Sequence, residues 1–283
     1  PKTGLFFSLA AGATNIAMDY LLIGPLNMGI AGAAWGTVLS YAVGGLLPLA
    51  YFLKPPRGTL RLCPTLLYWR ELKNACVNGS SELMSNLSAS VVSILFNLQL
   101  MHIIGEQGVA AYSVMMYVDF AFAAVFLGFS MGNGPIVSFH FGADNRDELK
   151  NVFRKSITVI ALASLAMVAL SELLARPLSA AFVGYSPELL ELTVHGFRIF
   201  ALSYLFVGFG IYGSAFFTAL CNGPVSALIS FLRTFLFRGG LVLLLPLVLD
   251  LDGIWLAVVA ADGLGSAVAL GLTWRYRKRY HYL

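Results

Sequence analysis

Residues 5–26 read LFFSLAAGATNIAMDYLLIGPL, an apolar run that carries one carboxylate, Asp19, close to its middle. A helix of about 20 apolar residues is long enough to cross a bilayer, so this run predicts a membrane span. An ionised side chain at the centre of a bilayer costs roughly 2.5–3.5 kcal/mol on insertion scales. We therefore expect Asp19 to face a cavity or a bound cation rather than lipid.

The composition of the whole chain is that of a membrane protein. Hydrophobic residues make up 58% and charged residues 11%, and the mean hydropathy is +0.80, whereas a soluble domain carries about 25% charged residues. The sequence predicts an all-α polytopic membrane protein with eight transmembrane helices. The seven spans that follow the first are placed at 29–53, 74–104, 109–141, 152–175, 190–220, 224–249 and 253–274.

One long connection, Lys54–Lys73, divides the spans into two and six. It mixes the pair Pro55-Pro56 and three arginines with large apolar residues, a pattern typical of an amphipathic segment on a membrane surface. We expect three parts: two helices in residues 1–53, a cytoplasmic linker in residues 54–73, and a six-helix lobe with a basic tail in residues 74–283.

Basic residues predict the orientation, because cytoplasmic loops are enriched in Lys and Arg. With the N-terminus inside, 16 of the 18 Lys and Arg residues fall on the inner side, and Arg233 and Arg238 are counted among them. Both termini are then cytoplasmic. The pI of 9.0 reflects this asymmetry and gives no support to nucleic-acid binding. The Cys and His spacings match neither a zinc site nor a metalloprotease motif, and no enzyme is predicted.

Polar residues surround Asp19 on the first predicted hairpin. Asn15 lies one turn earlier on the same helix face, and Asp19 is roughly 10 Å below the outer end of its helix by helical rise. Thr37, on the antiparallel neighbour, lies roughly 12 Å below the same surface. Oxygen ligands of this kind suit Na⁺ or a shared proton. The alternative is a polar trio that only locks the two helices together.

Three further acids lie deep in the predicted lobe. Glu82 is about 12 Å from its helix end by helical rise and shares a polar face with Asn78 and Asn86, so it is the second candidate for ion coupling. Asp119 and Asp262 lie roughly 15 Å and 13 Å from their helix ends. Each is expected to have a transport role or to be a protonated hydrogen-bond donor between helices.

Several segments resemble one transporter family. NIAMDYLLI at 15–23 and GIAGAAWGT at 29–37 are similar to the fifth and sixth helices of the multidrug and toxic compound extrusion (MATE) family. Further matches to that family's eighth, tenth, eleventh and twelfth helices are GVAAYSV at 108–114, FFTALCN at 216–222, ISFLR at 229–233 and DGIW at 252–255.

The resemblance implies a two-lobed secondary antiporter that exports amphiphilic organic cations in exchange for Na⁺ or H⁺. This chain would supply the last two helices of the first lobe and the whole second lobe, without the first four helices. The family's first-lobe cation site falls on Asn15, Asp19 and Thr37, and its seventh-helix acid falls on Glu82. A bacterial plasma membrane, contact with its lipids, a monomeric full-length protein and no cofactor besides the coupling ion are also implied.

The sequence departs from the family pattern at some positions, so functions other than antiport stay open. The first-helix Asp that completes the first-lobe site and the tenth-helix Asp of some Na⁺-coupled members have no counterpart here. A flippase for a lipid-linked precursor shares the broader fold and would favour a basic cavity. The deep residues are acidic, with Arg and Lys predicted at the membrane edges, which argues against a flippase. A non-transporting fragment is the third interpretation.

Overall fold

The computed structural model describes residues 2–53 and 66–282, and all regular elements in these ranges are helical. They are α1 Lys2–Ile23, α2 Gly29–Leu53, α3 Trp69–Ile103, α4 Glu106–Gly142, α5 Arg146–Val183, α6 Pro187–Ala201, α7 Tyr204–Ala219, α8 Gly223–Ser230, a π-helical segment Phe231–Gly239, α9 Gly240–Leu244 and α10 Pro246–Tyr280. Within the described ranges, eight stretches are long and apolar enough to cross a membrane when α6 and α7 count as one. The predicted all-α membrane fold is confirmed.

The sixth span is broken, which the hydropathy pattern did not predict. Helices α6 and α7 meet at a bend of 51°, and residues 202–203 lie between them. The carbonyl oxygen of Ser203 accepts hydrogen bonds from the N–H groups of Phe206 and Val207, so a new helix begins at this point. No proline marks the break, and a continuous apolar run therefore gave no signal of it.

The seventh span changes its winding in the middle. Residues Phe231–Gly239 form a π-helix between α8 and α9, and hydrogen bonds in a π-helix join residues five apart. Arg233 and Arg238 are five apart and both line the same cavity. In a regular α-helix, with 3.6 residues per turn, these two positions would point about 140° apart. The π-helical winding is thus what places both arginines on one face.

The last helix is kinked at Asp250, whose backbone has φ 45° and ψ −126°. The helix that follows carries Trp255, one of the fully buried aromatic residues. Asp252, just after the kink, lies 2.8 Å from Nε2 of His195 on α6. This contact joins the beginning of the long helix to its neighbour.

Two compact units divide the chain, Pro1–Tyr68 and Trp69–Leu283. In the first unit, α1 and α2 form an antiparallel pair. The side of α2 that is buried carries small residues four apart, Gly32, Gly36 and Ser40. Small residues let two membrane helices approach closely, and a Cβ at Gly32 would lie 3.0 Å from the backbone of Leu22.

The second unit holds a continuous apolar core around α7, which packs against α4, α5, α8 and α10. Its largest fully buried side chains include Trp255, Tyr204, Tyr212 and Phe216. Of the predicted linker, residues 54–65 lie outside the described residues. Helix α3 already begins at Trp69, rather than at the predicted start of the lobe, Asn74.

Candidate functional site

A cavity of about 490 Å³ opens among α3, α4, α7, α8 and the π-helical segment of the second unit. Small-molecule sites usually measure about 300–1,000 Å³, so its size suits an organic ligand. Its wall combines apolar side chains such as Met131 and Ile211 with hydroxyl groups such as Ser214 and Ser230. The charged residues on the wall are Glu82, Asp119, Arg233 and Arg238.

Glu82 is the charged group on this wall that lacks a counter-ion. Its side chain is exposed, and within residues 2–53 and 66–282 its carboxylate forms neither an ion pair nor a hydrogen bond. Asn86 also lines the cavity, and its amide donates to the backbone oxygen of Glu82 over 2.9 Å. Asn78 points elsewhere and donates to the carbonyl of Thr218 at 3.2 Å. Of the predicted polar face, Glu82 and Asn86 therefore line the cavity, whereas Asn78 contributes to helix packing.

Arg233 and Arg238 lie inside the second unit on the cavity wall, whereas the sequence predicted arginines at the membrane edges. Their side chains are 14% and 19% exposed, and both are paired with Asp262, which is 0% exposed. Nη2 of Arg238 donates to Oδ2 of Asp262 at 2.6 Å, whereas Nη1 of Arg233 is 3.9 Å from Oδ1. The sequence count went wrong because it assumed that arginine would remain near a span end.

The two other deep acids differ in their surroundings. Asp262 is fully buried and accepts a hydrogen bond from Arg238, which links α10 to the π-helical segment. Asp119 is 9% exposed and lies on the cavity wall. Its electrostatic neighbours include Arg238, Asp262 and Arg233. Both acids therefore belong to one charged cluster with the two arginines.

Two glycines determine where the Arg233 side chain runs. A Cβ added at Gly210 on α7 would lie 2.7 Å from Cδ of Arg233, and one at Gly265 on α10 would lie 2.5 Å from its Cγ. Real Cβ atoms do not approach so closely, so the aliphatic part of Arg233 occupies the space left by two missing side chains. The guanidinium is thereby held in place on the cavity wall.

A cluster of hydroxyl groups lies beside the cavity, between α7 and α8. Ser214 Oγ is 2.8 Å from the hydroxyl oxygens of both Ser226 and Ser230, and Ser226 Oγ is 2.7 Å from Thr218 Oγ1. Ser226 is 0% exposed and Ser230 is 2% exposed. The cluster was not predicted from the sequence. The spacing of Ser226 and Ser230 by one helical turn places both hydroxyls on one helix face and could have indicated it.

The first unit positions Asp19 against the backbone of α2. A Cβ at Gly36 would collide with Oδ1 of Asp19, and this oxygen is buried without a hydrogen-bond partner in the described residues. The hydroxyl of Thr37 donates to the carbonyl of Ala33 at 3.0 Å. Within residues 2–53 and 66–282, no hydrogen bond joins Asn15, Asp19 and Thr37, and no cluster of three or more His, Cys, Asp or Glu residues could hold a metal. The cation site at these three residues stays a prediction.

This chain is similar in sequence to known proteins. A family model, MatE, matches residues 83–241. The multidrug export protein MepA of Staphylococcus saprophyticus is 24% identical over 218 residues, which are 74% of this chain and 47% of MepA. The chain thus spans about half the length of this curated relative.

Two solved structures share the fold. An outward-facing multidrug resistance MATE family transporter of the MOP superfamily superposes with a TM-score of 0.87 at 20% identity, over 96% of this chain and 62% of that one. A MOP superfamily transporter from Pyrococcus furiosus Vc1 superposes with a TM-score of 0.84 at 23% identity. The match covers 95% of this chain and 60% of the Pyrococcus furiosus chain. The latter is described as having a binding pocket of reverse polarity that suggests a different function.

Proposed function

Because the chain belongs to the MatE family, whose members are transporters and not enzymes, we propose that it acts as a secondary active antiporter. In this proposal it exports amphiphilic organic cations in exchange for Na⁺ or H⁺. The resemblance stated from the sequence motifs is confirmed at the level of the family. The chain is a multi-pass membrane protein, and a bacterial plasma membrane is the proposed location.

The uncompensated carboxylate of Glu82 on the cavity wall is the observation that carries this proposal. Asp119 and Asp262 face arginines, whereas no described side chain offsets the charge of Glu82. A negative charge beside apolar wall residues such as Met131 suits a ligand that has a cationic group on a hydrophobic body. The charges that line the cavity thus favour a cationic amphiphile over an uncharged one.

Asp19 is the proposed site of ion coupling, with Asn15 and Thr37 beside it along the hairpin. Its Oδ1 atom is buried and has no described hydrogen-bond partner. A buried acceptor without a partner is unfavourable by about 1–3 kcal/mol, and a bound Na⁺ or a proton would relieve that cost. Asn15 and Thr37 carry further oxygen atoms, which are suitable ligands for Na⁺.

Dye efflux from cells that carry the full-length protein tests both carboxylates. Asp19→Asn and Glu82→Gln are expected to lower efflux of a cationic dye about tenfold or more, because each removes a charge from a membrane-embedded site. Glu106→Gln is the matched control, since Glu106 is exposed at the start of α4. Wild-type efflux in both test variants would contradict the proposal.

The coupling ion is identified by driving the purified protein in vesicles with one gradient at a time. A Na⁺ gradient at equal pH and a pH gradient without Na⁺ are compared for their ability to drive dye uptake. Asp19→Asn should abolish the response to whichever gradient is effective. A response that survives this substitution would assign the coupling site to other residues.

A flippase for a lipid-linked phosphate is the second candidate, and the arginines favour it. The sequence predicted that the arginines lie at the membrane edges, but Arg233 and Arg238 line the cavity. Translocation of a fluorescent lipid diphosphate across vesicles containing the protein would support this candidate. Export of cationic dyes without any lipid translocation would exclude it.

A further inference from the structure

Arg233 is the cationic residue of the cavity whose hydrogen-bonding capacity is unused. Its Nε atom is buried without a partner, and within residues 2–53 and 66–282 its guanidinium makes no hydrogen bond. The nearest carboxylate oxygen, Oδ1 of Asp262, is 3.9 Å from Nη1, which is too long for a hydrogen bond. Oδ1 of Asp262 is itself without a hydrogen-bond partner.

Asp262 is already committed to the other arginine. Its Oδ2 atom accepts from Nη2 of Arg238 at 2.6 Å, a length typical of a strong charge-assisted bond. Asp119, the second acid of the cluster, lines the same cavity wall as the two arginines. Arg238 therefore has a close carboxylate partner, although its Nε atom also lacks a hydrogen-bond partner among the described residues. Arg233, which makes no hydrogen bond within residues 2–53 and 66–282, is the arginine that can accept a further anionic partner.

The Arg233 side chain is held on the cavity wall in a position from which it can bind a ligand. Gly210 and Gly265 hold its aliphatic part, and the π-helical winding directs it into the cavity. A guanidinium offers N–H donors in a planar fork that matches a carboxylate or a phosphate. A side chain fixed in advance loses little conformational freedom when it binds. Ser230 and Thr234 lie on the same wall and add hydroxyl donors.

We propose that Arg233 binds the anionic group, a carboxylate or a phosphate, of a zwitterionic amphiphile that enters this cavity. Glu82 holds the cationic end of the same molecule, and this half of the proposal rests on the proposed function. The cavity, at about 490 Å³, is large enough for a ligand that carries both charges. Molecules with both charges would then bind more tightly than purely cationic ones of the same size.

A pair of dyes that differ in one group tests this directly. Rhodamine 19 has a free carboxylate, and rhodamine 6G is its ethyl ester with the same cationic ring system. Fluorescence anisotropy with purified full-length protein gives the affinity for each. We expect the free acid to bind about tenfold more tightly, as a hydrogen bond to a charged group implies. Arg233→Gln should remove that preference without lowering the affinity for the ester, because the ester offers no anionic group to the guanidinium.

Three variants and a competitor make the result decisive. Arg233→Lys keeps the charge but loses the fork, so an intermediate preference is expected. Arg275→Gln is the control, because Arg275 is exposed near the end of α10. Glu82→Gln should weaken both dyes equally. Inorganic phosphate should displace the free acid from the wild-type protein and not the ester, which tests the site even where Arg233→Gln fails to fold.

The two proposals fail in different ways. Equal affinity of the wild type for both dyes, or a preference that Arg233→Gln and Arg233→Lys leave intact, overturns the anion site and leaves cation export standing. Absence of any dye binding to the wild type overturns the proposed function itself. Loss of binding of both dyes in Arg233→Gln with a folded protein assigns Arg233 to packing rather than to anion recognition.

Discussion

Arg238 and Asp262 form an ion pair in the interior of the second unit, with Nη2 of the arginine 2.6 Å from Oδ2 of the carboxylate. The pair joins the π-helical segment to α10. An ionised group is tolerated at such a position when an opposite charge is in contact with it. The two residues therefore depend on each other.

Asp262→Asn is expected to destabilise the protein, because it leaves Arg238 buried without its charged partner. Removing one member of a buried ion pair typically lowers the free energy of unfolding by about 3–5 kcal/mol. Thermal unfolding of the purified protein measures the change. The double substitution Arg238→Met with Asp262→Leu should recover most of the loss. A melting temperature unchanged by Asp262→Asn would show that the pair contributes nothing to stability.

Gly265→Ala should destabilise the second unit by about 1–3 kcal/mol, the usual effect of overpacking a filled interior. The new Cβ would lie 2.5 Å from Cγ of Arg233. Gly271→Ala on the same helix is the control, because nothing lies within 4 Å of its Cβ position. Thermal unfolding distinguishes the two. In an Arg233→Ala background the effect of Gly265→Ala should disappear, and its persistence would assign the clash to another neighbour.

Gly36→Ala is expected to displace the Asp19 carboxylate, since a Cβ at this position would collide with Oδ1. Ion-driven dye efflux by the full-length protein should fall severalfold, because a displacement of about 1 Å at a binding group is enough to impair it. Gly45→Ala lies on the same helix and meets nothing within 4 Å, so it should behave as the wild type. Equal efflux by the two variants would argue against a role for the Asp19 position.

Ser226→Ala tests the hydroxyl cluster at its most buried member. Ser226 is 0% exposed and contacts the hydroxyls of Ser214 and Thr218, so its replacement removes two buried hydrogen bonds. A decrease of about 1–3 kcal/mol in unfolding free energy is expected. Ser113→Ala is the comparison, because Ser113 is exposed and bonds only its own helix. If the two variants melt at the same temperature, the cluster has no stabilising role.

The number of spans could be predicted from hydropathy because a backbone in lipid must satisfy its hydrogen bonds within each helix. Bends and changes of winding leave that pattern unaltered, so the break at residues 202–203 and the π-helical segment Phe231–Gly239 were missed. Arg233 and Arg238 were expected near a span end, and the π-helical winding is what brings both to the cavity. A regular α-helix would have directed them to different faces.

The sequence by itself determined that this is an all-helical membrane protein, and it identified Asp19, Glu82, Asp119 and Asp262 as carboxylates in apolar helices. Those conclusions depend on composition and spacing along one helix. Only the tertiary structure decided which of the acids have partners: Asp262 contacts Arg238, while among residues 2–53 and 66–282 Glu82 finds no counter-ion on the cavity wall. The physical reason is that charge compensation depends on contacts between helices distant in sequence. Such contacts exist only once the helices have packed.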